Sequence, residues 1–335
     1  MKYKIFTAAF LLLCIIPSAG MLFLPPTEAA ANERLTAVPQ LKNEDGSWNT
    51  EVLDQVTDYI ADHFALRQEM VTANATLQTK VLATSPAEDV IYGTDGWLYY
   101  AETLDDYQNR ATLSDEEVRQ IAQTIANMQA FCEARGARFV FTIAPNKNSL
   151  YPEHMPARYL QSSGQDNYEK LKPLLEEYGV NYADLFAFLS AQDEVLYLQT
   201  DSHWTNRGAA LAHDFLMVTL GLPHTAFAQA AYTTENTHRG DLYGMLYPKG
   251  TALEAQQQYQ TSFTHVSEPR TAEDILIQTT NPDAPNGRLL LFRDSFGNAL
   301  YPFMAEDFRE ATITRQMPYP LAQVQAGDTV VVEIV

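Results

Sequence analysis

Leu289-Leu290-Leu291-Phe292-Arg293-Asp294-Ser295-Phe296-Gly297-Asn298 is an apolar run that breaks off into a serine. Its first four residues have the profile of a buried strand, and Asn298 to Asp307 can form a helix. A serine at a sharp strand-to-helix turn projects its hydroxyl above the sheet edge, with backbone N–H groups at hand for an oxyanion. A second stretch, Asp201-Ser202-His203-Trp204, supplies what that serine needs. His203 can take its proton, and Asp201, two residues earlier, can fix the imidazole tautomer. This stretch follows Val195-Leu196-Tyr197-Leu198, another strand-like run. Strand C-termini of a parallel α/β sheet open onto one crevice, so both motifs are expected at the same edge. The three side chains point to acyl transfer.

Each has a plainer role as well. Ser295 or Asp294 can cap the helix that follows, and a histidine beside a tryptophan can be a packed, hydrogen-bonded residue. The joint placement after apolar runs favours the catalytic reading.

The surrounding chain alternates helix and strand. Ser114 with Glu117 forms a capping box, opening a helix with Val118, Ile121, Ile125, Met128 and Phe131 on one face. Gly136 ends it, and Arg138 to Ala144 follows as a buried strand. A helix from about 167 to 178 leads to a short strand at 180–182. Thr205 can cap a helix carrying Leu211, Phe215, Met217 and Leu220, stopped by Gly221. Residues 222–287 read as a long insertion with some β-structure that shapes a cleft, and Thr329 to Val335 as a buried strand. This order predicts an α/β fold with a central, mainly parallel sheet flanked by helices.

Lys2 and Lys4 precede an apolar stretch from Ile5 to Ile16, the pattern of a signal peptide with a cleavage region near Thr27–Ala31. The stretch resumes through Leu24, so it is also long enough for an uncleaved membrane anchor. Residues 1–31 are therefore assigned to targeting, 32–85 to a helical extension and 86–335 to the catalytic domain. The extension is expected to contain a helix capped by Asn49 or Thr50, with Val52, Val56, Tyr59, Ile60 and Phe64 recurring at helical spacing. Residues 90–100 read as two short aromatic strands around a glycine turn.

Composition narrows the function classes. Against 22 Lys and Arg stand 42 Asp and Glu, a net charge of −20 that excludes a nucleic-acid partner on electrostatic grounds. Only Cys132 remains beyond the targeting segment, so no disulfide is expected, and its apolar helical position makes it a core residue.

With these motifs in view, the chain resembles the DHHW and alginate-O-acetyltransferase-like branch of the SGNH hydrolases. The pieces are Asp62-His63-Phe64 with Arg67, Gly93-Thr94-Asp95-Gly96-Trp97-Leu98, Ala144-Pro145-Asn146-Lys147, Tyr151-Pro152-Glu153, Asp201-Ser202-His203-Trp204 and Arg293-Asp294-Ser295-Phe296, in order. The resemblance implies Ser295 as nucleophile, His203 as base and Asp201 as its orienting carboxylate, in a branch whose Asp-x-His motif precedes the serine. Ser202 stands where the family often carries a second histidine, Arg293 where it often has Gly or Lys, and relatives usually continue past the strand 330–335. The Ser295 N–H is the natural first oxyanion donor, with Asn146 and Asn298 as candidates for the second. Arg293 and Trp204 are candidates for substrate contact.

The implied protein is exported, extracellular or at the cell surface, and moves acetyl groups to hydroxyls of a polysaccharide. The acyl donor comes from a membrane-bound acyltransferase partner, and neither cofactor nor metal is implied. A carbohydrate esterase with the same triad, and a non-catalytic carbohydrate-binding or assembly protein, are the alternatives. A metal site from Asp201, His203 and His213 fits none of the usual ligand spacings.

Overall fold

The run Leu289–Phe292 becomes the end of an interior strand because every second residue finds a different hydrophobic layer. Leu289 and Leu291 face one core, while Leu290 and Phe292 face another. Val331 and the pair Val330/Val332 divide in the same way, as do Val140 and the pair Phe139/Phe141. Apolar on both faces, such strands belong in the middle of a sheet covered on both sides.

In the computed structural model, which describes residues 2–24 and 35–335, the chain divides into two units. One is Met1–Tyr92 with Asp241–Ala252, and the other is Gly93–Gly240 with Leu253–Val335. The first contains helices α1 (Lys2–Gly20), α2 (Val52–His63), α3 (Arg67–Leu77) and α10 (Asp241–Leu246), with strand β1 (Val90–Tyr92). Helix α2 starts at Val52 with Glu51 before it and no side-chain cap. Asn49 turns its Oδ1 to the Glu51 N–H instead, so the expected cap is a turn just ahead of the helix. No residue of α2 is buried, and its apolar spacing does not mark a core face. Among the described residues, α1 alone is long and apolar enough to cross a membrane. The proposed cleavage region, Thr27–Ala31, lies outside the described residues.

The second unit carries β2 (Leu98–Tyr100), α4 (Leu104–Tyr107), α5 (Asp115–Glu133), β3 (Arg138–Ile143), α6 (Lys147–Leu150), α7 (Asn167–Glu177), β4 (Tyr182–Ala183), α8 (Leu185–Ser190) and α9 (Asn206–Leu220). The hairpin β5 (Tyr232–His238) and β6 (Glu254–Tyr259) follows, then β7 (Thr264–His265), β8 (Leu276–Thr280), β9 (Asn286–Phe292), α11 (Gly297–Glu306), β10 (Phe308–Thr314) and β11 (Thr329–Ile334). Seven strands make the sheet, in the order β4-β3-β11-β9-β10-β8-β7. The first five are parallel, and β8 and β7 continue the edge antiparallel. β11, last in sequence, lies between β3 and β9.

Helices α5 and α7 cover one face of the sheet, and α8, α9 and α11 the other. The capping box of Ser114 and Glu117 opens α5 as its sequence predicts. Its buried stripe, however, is Val118, Ala122, Ile125 and Cys132, and Ile121 is 38% exposed. Burial pushes the Cys132 thiol up to about 11, as suits an inert core residue. Thr205 caps α9 by accepting from the Gly208 N–H, and Gly221 closes it at φ +65°. Tyr197 and its neighbours are not a strand of the sheet. The segment makes a single bridge, Tyr197 to Trp204, and turns back on itself.

Candidate active site

The loop bearing Asp201 and His203 is closed by its own backbone. Leu198 N–H donates to the His203 carbonyl at 3.1 Å, and Thr205 N–H to the Leu196 carbonyl at 2.7 Å. Within it, Asp201 Oδ1 accepts from the His203 backbone N–H at 2.9 Å and meets His203 Nδ1 at 2.8 Å. An ionised carboxylate only accepts, so Nδ1 carries the proton and Nε2 the lone pair. That is the tautomer a general base requires. Ser202 Oγ lies 3.1 Å from the same Nδ1.

The other carboxylate oxygen has a partner the sequence did not announce. Asp201 Oδ2 lies 2.8 Å from Nε2 of His238, at the end of β5. Burial pushes the Asp201 carboxyl up, but the two imidazoles outweigh it and hold the group well below the usual carboxylate range. A carboxyl lowered in this way is suited to accept from both rings as a charged group.

Motifs scattered through the sequence converge on this loop. Lys147 is buried, and its Nζ donates to three carbonyls: Leu98 at 2.7 Å, Gln199 at 2.8 Å and Asp201 at 2.9 Å. Tyr151 Oη accepts from the Leu196 N–H at 2.8 Å, and Tyr197 Oη donates to the Pro145 carbonyl at 2.6 Å. Trp97 stacks on His154, ring centroids 4.5 Å apart. Gly93 is required there, since a Cβ would lie 2.5 Å from the His154 carbonyl oxygen.

Ser295 occupies the turn between β9 and α11, and the histidine loop packs against that turn. The His203 ring meets the Phe296 ring at a centroid distance of 4.9 Å, and Trp204 Nε1 donates to the Phe296 carbonyl at 3.0 Å. Ser295 does not cap α11: Phe296 holds the cap position without a side-chain bond. Asp294 supports the turn by accepting from the Phe296 N–H at 2.9 Å. Among the described residues, no hydrogen bond engages the Ser295 hydroxyl, with a helix end or with His203.

The region 90–295 matches the family model described as SGNH hydrolase-like domain, acetyltransferase AlgX. The chain belongs to this family. It is 32% identical over 162 residues to a probable alginate O-acetylase AlgJ of Pseudomonas syringae, a match covering 46% of this chain and 40% of the relative. The corresponding protein of Pseudomonas aeruginosa is 27% identical over 164 residues, covering 47% and 41%. The chain thus spans less than half the length of these curated relatives. Among solved structures, PatB1 of Bacillus cereus shares the fold, with a TM-score of 0.56 at 18% identity over 73% of this chain and 95% of that one.

Within this AlgX-type domain, the other predicted site residues have structural partners. Arg293 is buried, and its guanidinium donates to the carbonyls of Asp294 at 2.9 Å and Ala272 at 2.6 Å and to Asn298 Oδ1. Asn298 also donates to Glu273 at 3.3 Å. Arg293 and Asn298 thus staple the serine turn to residues 272–274, and Trp204 braces it through Phe296. Asn146 Nδ2 donates to Asp106 Oδ2 at 3.2 Å, in a cleft of about 410 Å³ that Tyr168, Phe186 and Ile334 help to line. Ser295 is not among the residues of that cleft. His213 lies in the core between Asp214 and Asp307, at 2.9 Å from each, and takes no part in a cluster with His203.

Proposed function

We propose that this chain is an exported serine O-acyltransferase that acetylates hydroxyls of a cell-surface or secreted polysaccharide. The observation that carries the reading is the Asp201–His203 pair, tautomer fixed at 2.8 Å, with its ring against the residue after Ser295. Relatives named as alginate O-acetylases support a polysaccharide acceptor, and the apolar helix α1 supports export or anchoring.

Ser295 Oγ attacks the acyl carbonyl of the donor while its proton passes to His203 Nε2. The tetrahedral oxyanion is held by backbone N–H groups of the turn, that of Ser295 first. The donor's leaving oxygen takes the proton from His203, and the acetyl group stays as an ester on Ser295. A sugar hydroxyl then attacks this ester, gives its proton to His203, and Ser295 recovers that proton as it leaves. Contact between Oγ and Nε2 belongs to the donor-bound state, since catalytic hydrogen bonds tighten when substrate arrives. A membrane-bound acyltransferase partner supplies the donor in this scheme.

The test gives the protein a small activated acetyl ester and a panel of neutral and uronate oligosaccharides. A bound sugar gains the effective-molarity advantage of an intramolecular reaction, so acetylated sugar should form faster than acetate. Ser295→Ala should abolish turnover and leave the thermal midpoint nearly unchanged. Acetate alone, across all sugars, means an esterase. Binding of sugar with neither product means a passive carbohydrate-binding module.

A further inference from the structure

Strands β5 and β6 form a two-stranded hairpin away from the main sheet, and β5 is exposed along almost its whole length. The exposed strand β5 does little for the core, to which β6 contributes Tyr259 against Phe227 and Phe303. At its root, however, the hairpin is tied to the histidine loop from both strands. Across the pair, His238 stands opposite Glu254. The Glu254 carboxylate accepts from the Gln199 N–H at 2.6 Å, from the Thr200 N–H at 2.8 Å and from the Thr200 hydroxyl. Those are the residues directly ahead of Asp201. His238 meets the Asp201 carboxylate itself.

Three further features serve this docking. The pairing register slips between Asn236 and His238, leaving Thr237 as an extra residue. A bulge of this kind re-aims the side chain that follows it. Gly240 passes so close to Thr200 that a Cβ would sit 2.2 Å from the Thr200 carbonyl oxygen. On the other strand, Gln256 Oε1 accepts from the Asn206 N–H at 2.8 Å and the Gln257 carbonyl from Asn206 Nδ2 at 2.7 Å, fixing β6 to the start of α9.

We infer that His238 is a positioning residue: by donating from Nε2 to Asp201 Oδ2, it sets the carboxylate plane so that Oδ1 faces His203 Nδ1. A carboxylate held at one oxygen can rotate about its Cβ–Cγ bond, and a second donor on the opposite oxygen removes that freedom. In this role His238 acts through Asp201, whose carboxylate it meets at 2.8 Å. This rests on the triad proposed above, and its consequences can be separated from those of the triad.

The test compares full-length wild type with Ser295→Ala, His238→Leu and His238→Gln, using the activated acetyl ester. Gln keeps an N–H donor near the position of Nε2, and Leu does not. His238→Leu should lower kcat about tenfold or more, the loss of one hydrogen bond to a charged group, with KM nearly unchanged. His238→Gln should recover most of that loss. As a second readout, the downfield proton of His203 Nδ1 should move in the Leu variant and return towards its wild-type position in the Gln variant. That comparison needs only the folded Gln variant and the wild type if Leu fails to fold: a Gln variant with a displaced proton signal and low kcat overturns the inference. So does a Leu variant with wild-type kcat while Ser295→Ala is inactive. A Gln variant as inactive as Ser295→Ala would make His238 a proton carrier and also overturn it. Activity persisting in Ser295→Ala would instead remove the triad reading itself.

Discussion

Under the serine turn lies Glu333, completely buried near the end of β11. The Asp294 N–H approaches its Oε2 at 3.4 Å. Burial, and then the neighbouring Asp294 carboxylate, push the Glu333 carboxyl well above the usual range. A raised carboxyl contributes fully to stability below its unfolded value of about 4.3 and loses that contribution as pH rises through the folded value. Glu333→Gln cannot ionise, so its thermal midpoint should fall less steeply than that of wild type as pH rises from about 5 upward. Parallel midpoint curves would show that Glu333 is not held protonated. At this scale the sequence was a good guide to the contact between Asp201 and His203, because Asp-x-His is a local pattern. It was a poor guide to Glu333 and His238, whose roles arise only where distant segments meet.

The histidine loop owes its shape to long-range partners more than to its own bonds. Lys147 donates to three carbonyls at once, those of Leu98, Gln199 and Asp201, and so ties the loop to β2. Lys147→Met keeps the length and removes the donors. Unfolding by urea should show a loss of about 1–3 kcal/mol, the cost of stranding a buried acceptor, and kcat should fall as the loop loosens. An unchanged kcat with lowered stability would confine Lys147 to packing. Gly240→Ala should also damage turnover, because its new methyl group must push the Thr200 backbone away from Asp201. Equal kcat in this variant would mean that the hairpin root can shift without disturbing the carboxylate. Residues 195–198 read as a strand because four apolar residues in a row satisfy both strand and loop-core patterns. Their hydrogen bonds go to Tyr151 and back across the loop instead. The hairpin was harder to see, since its exposed first strand has no alternation for a pattern to follow.

For the molecule as a whole, the parallel α/β sheet was legible because its interior strands are apolar on both faces. That property survives any uncertainty over their neighbours. The division of the chain was less legible: residues 241–252 group with the N-terminal segment, although a linear reading leaves them inside the insertion. Leu291 sits in the interior strand β9 with no exposed surface. Leu291→Ala should cost about 2–5 kcal/mol by chemical unfolding, and a smaller loss would mean that the sheet and α11 can collapse around the gap.

The position of β11 also fixes when this fold can come into being. It fills the slot between β3 and β9, although both are synthesised before it. A chain emerging from the ribosome can pair β3 with β4, and β9 with β10, but has nothing to join the two halves until residues 329–334 arrive. Contacts of such wide sequence separation also make closure slow. Until then the edges of β3 and β9 that β11 will pair with stay open. The same strand order that builds the serine turn thus postpones its assembly until residues 329–334 have been made.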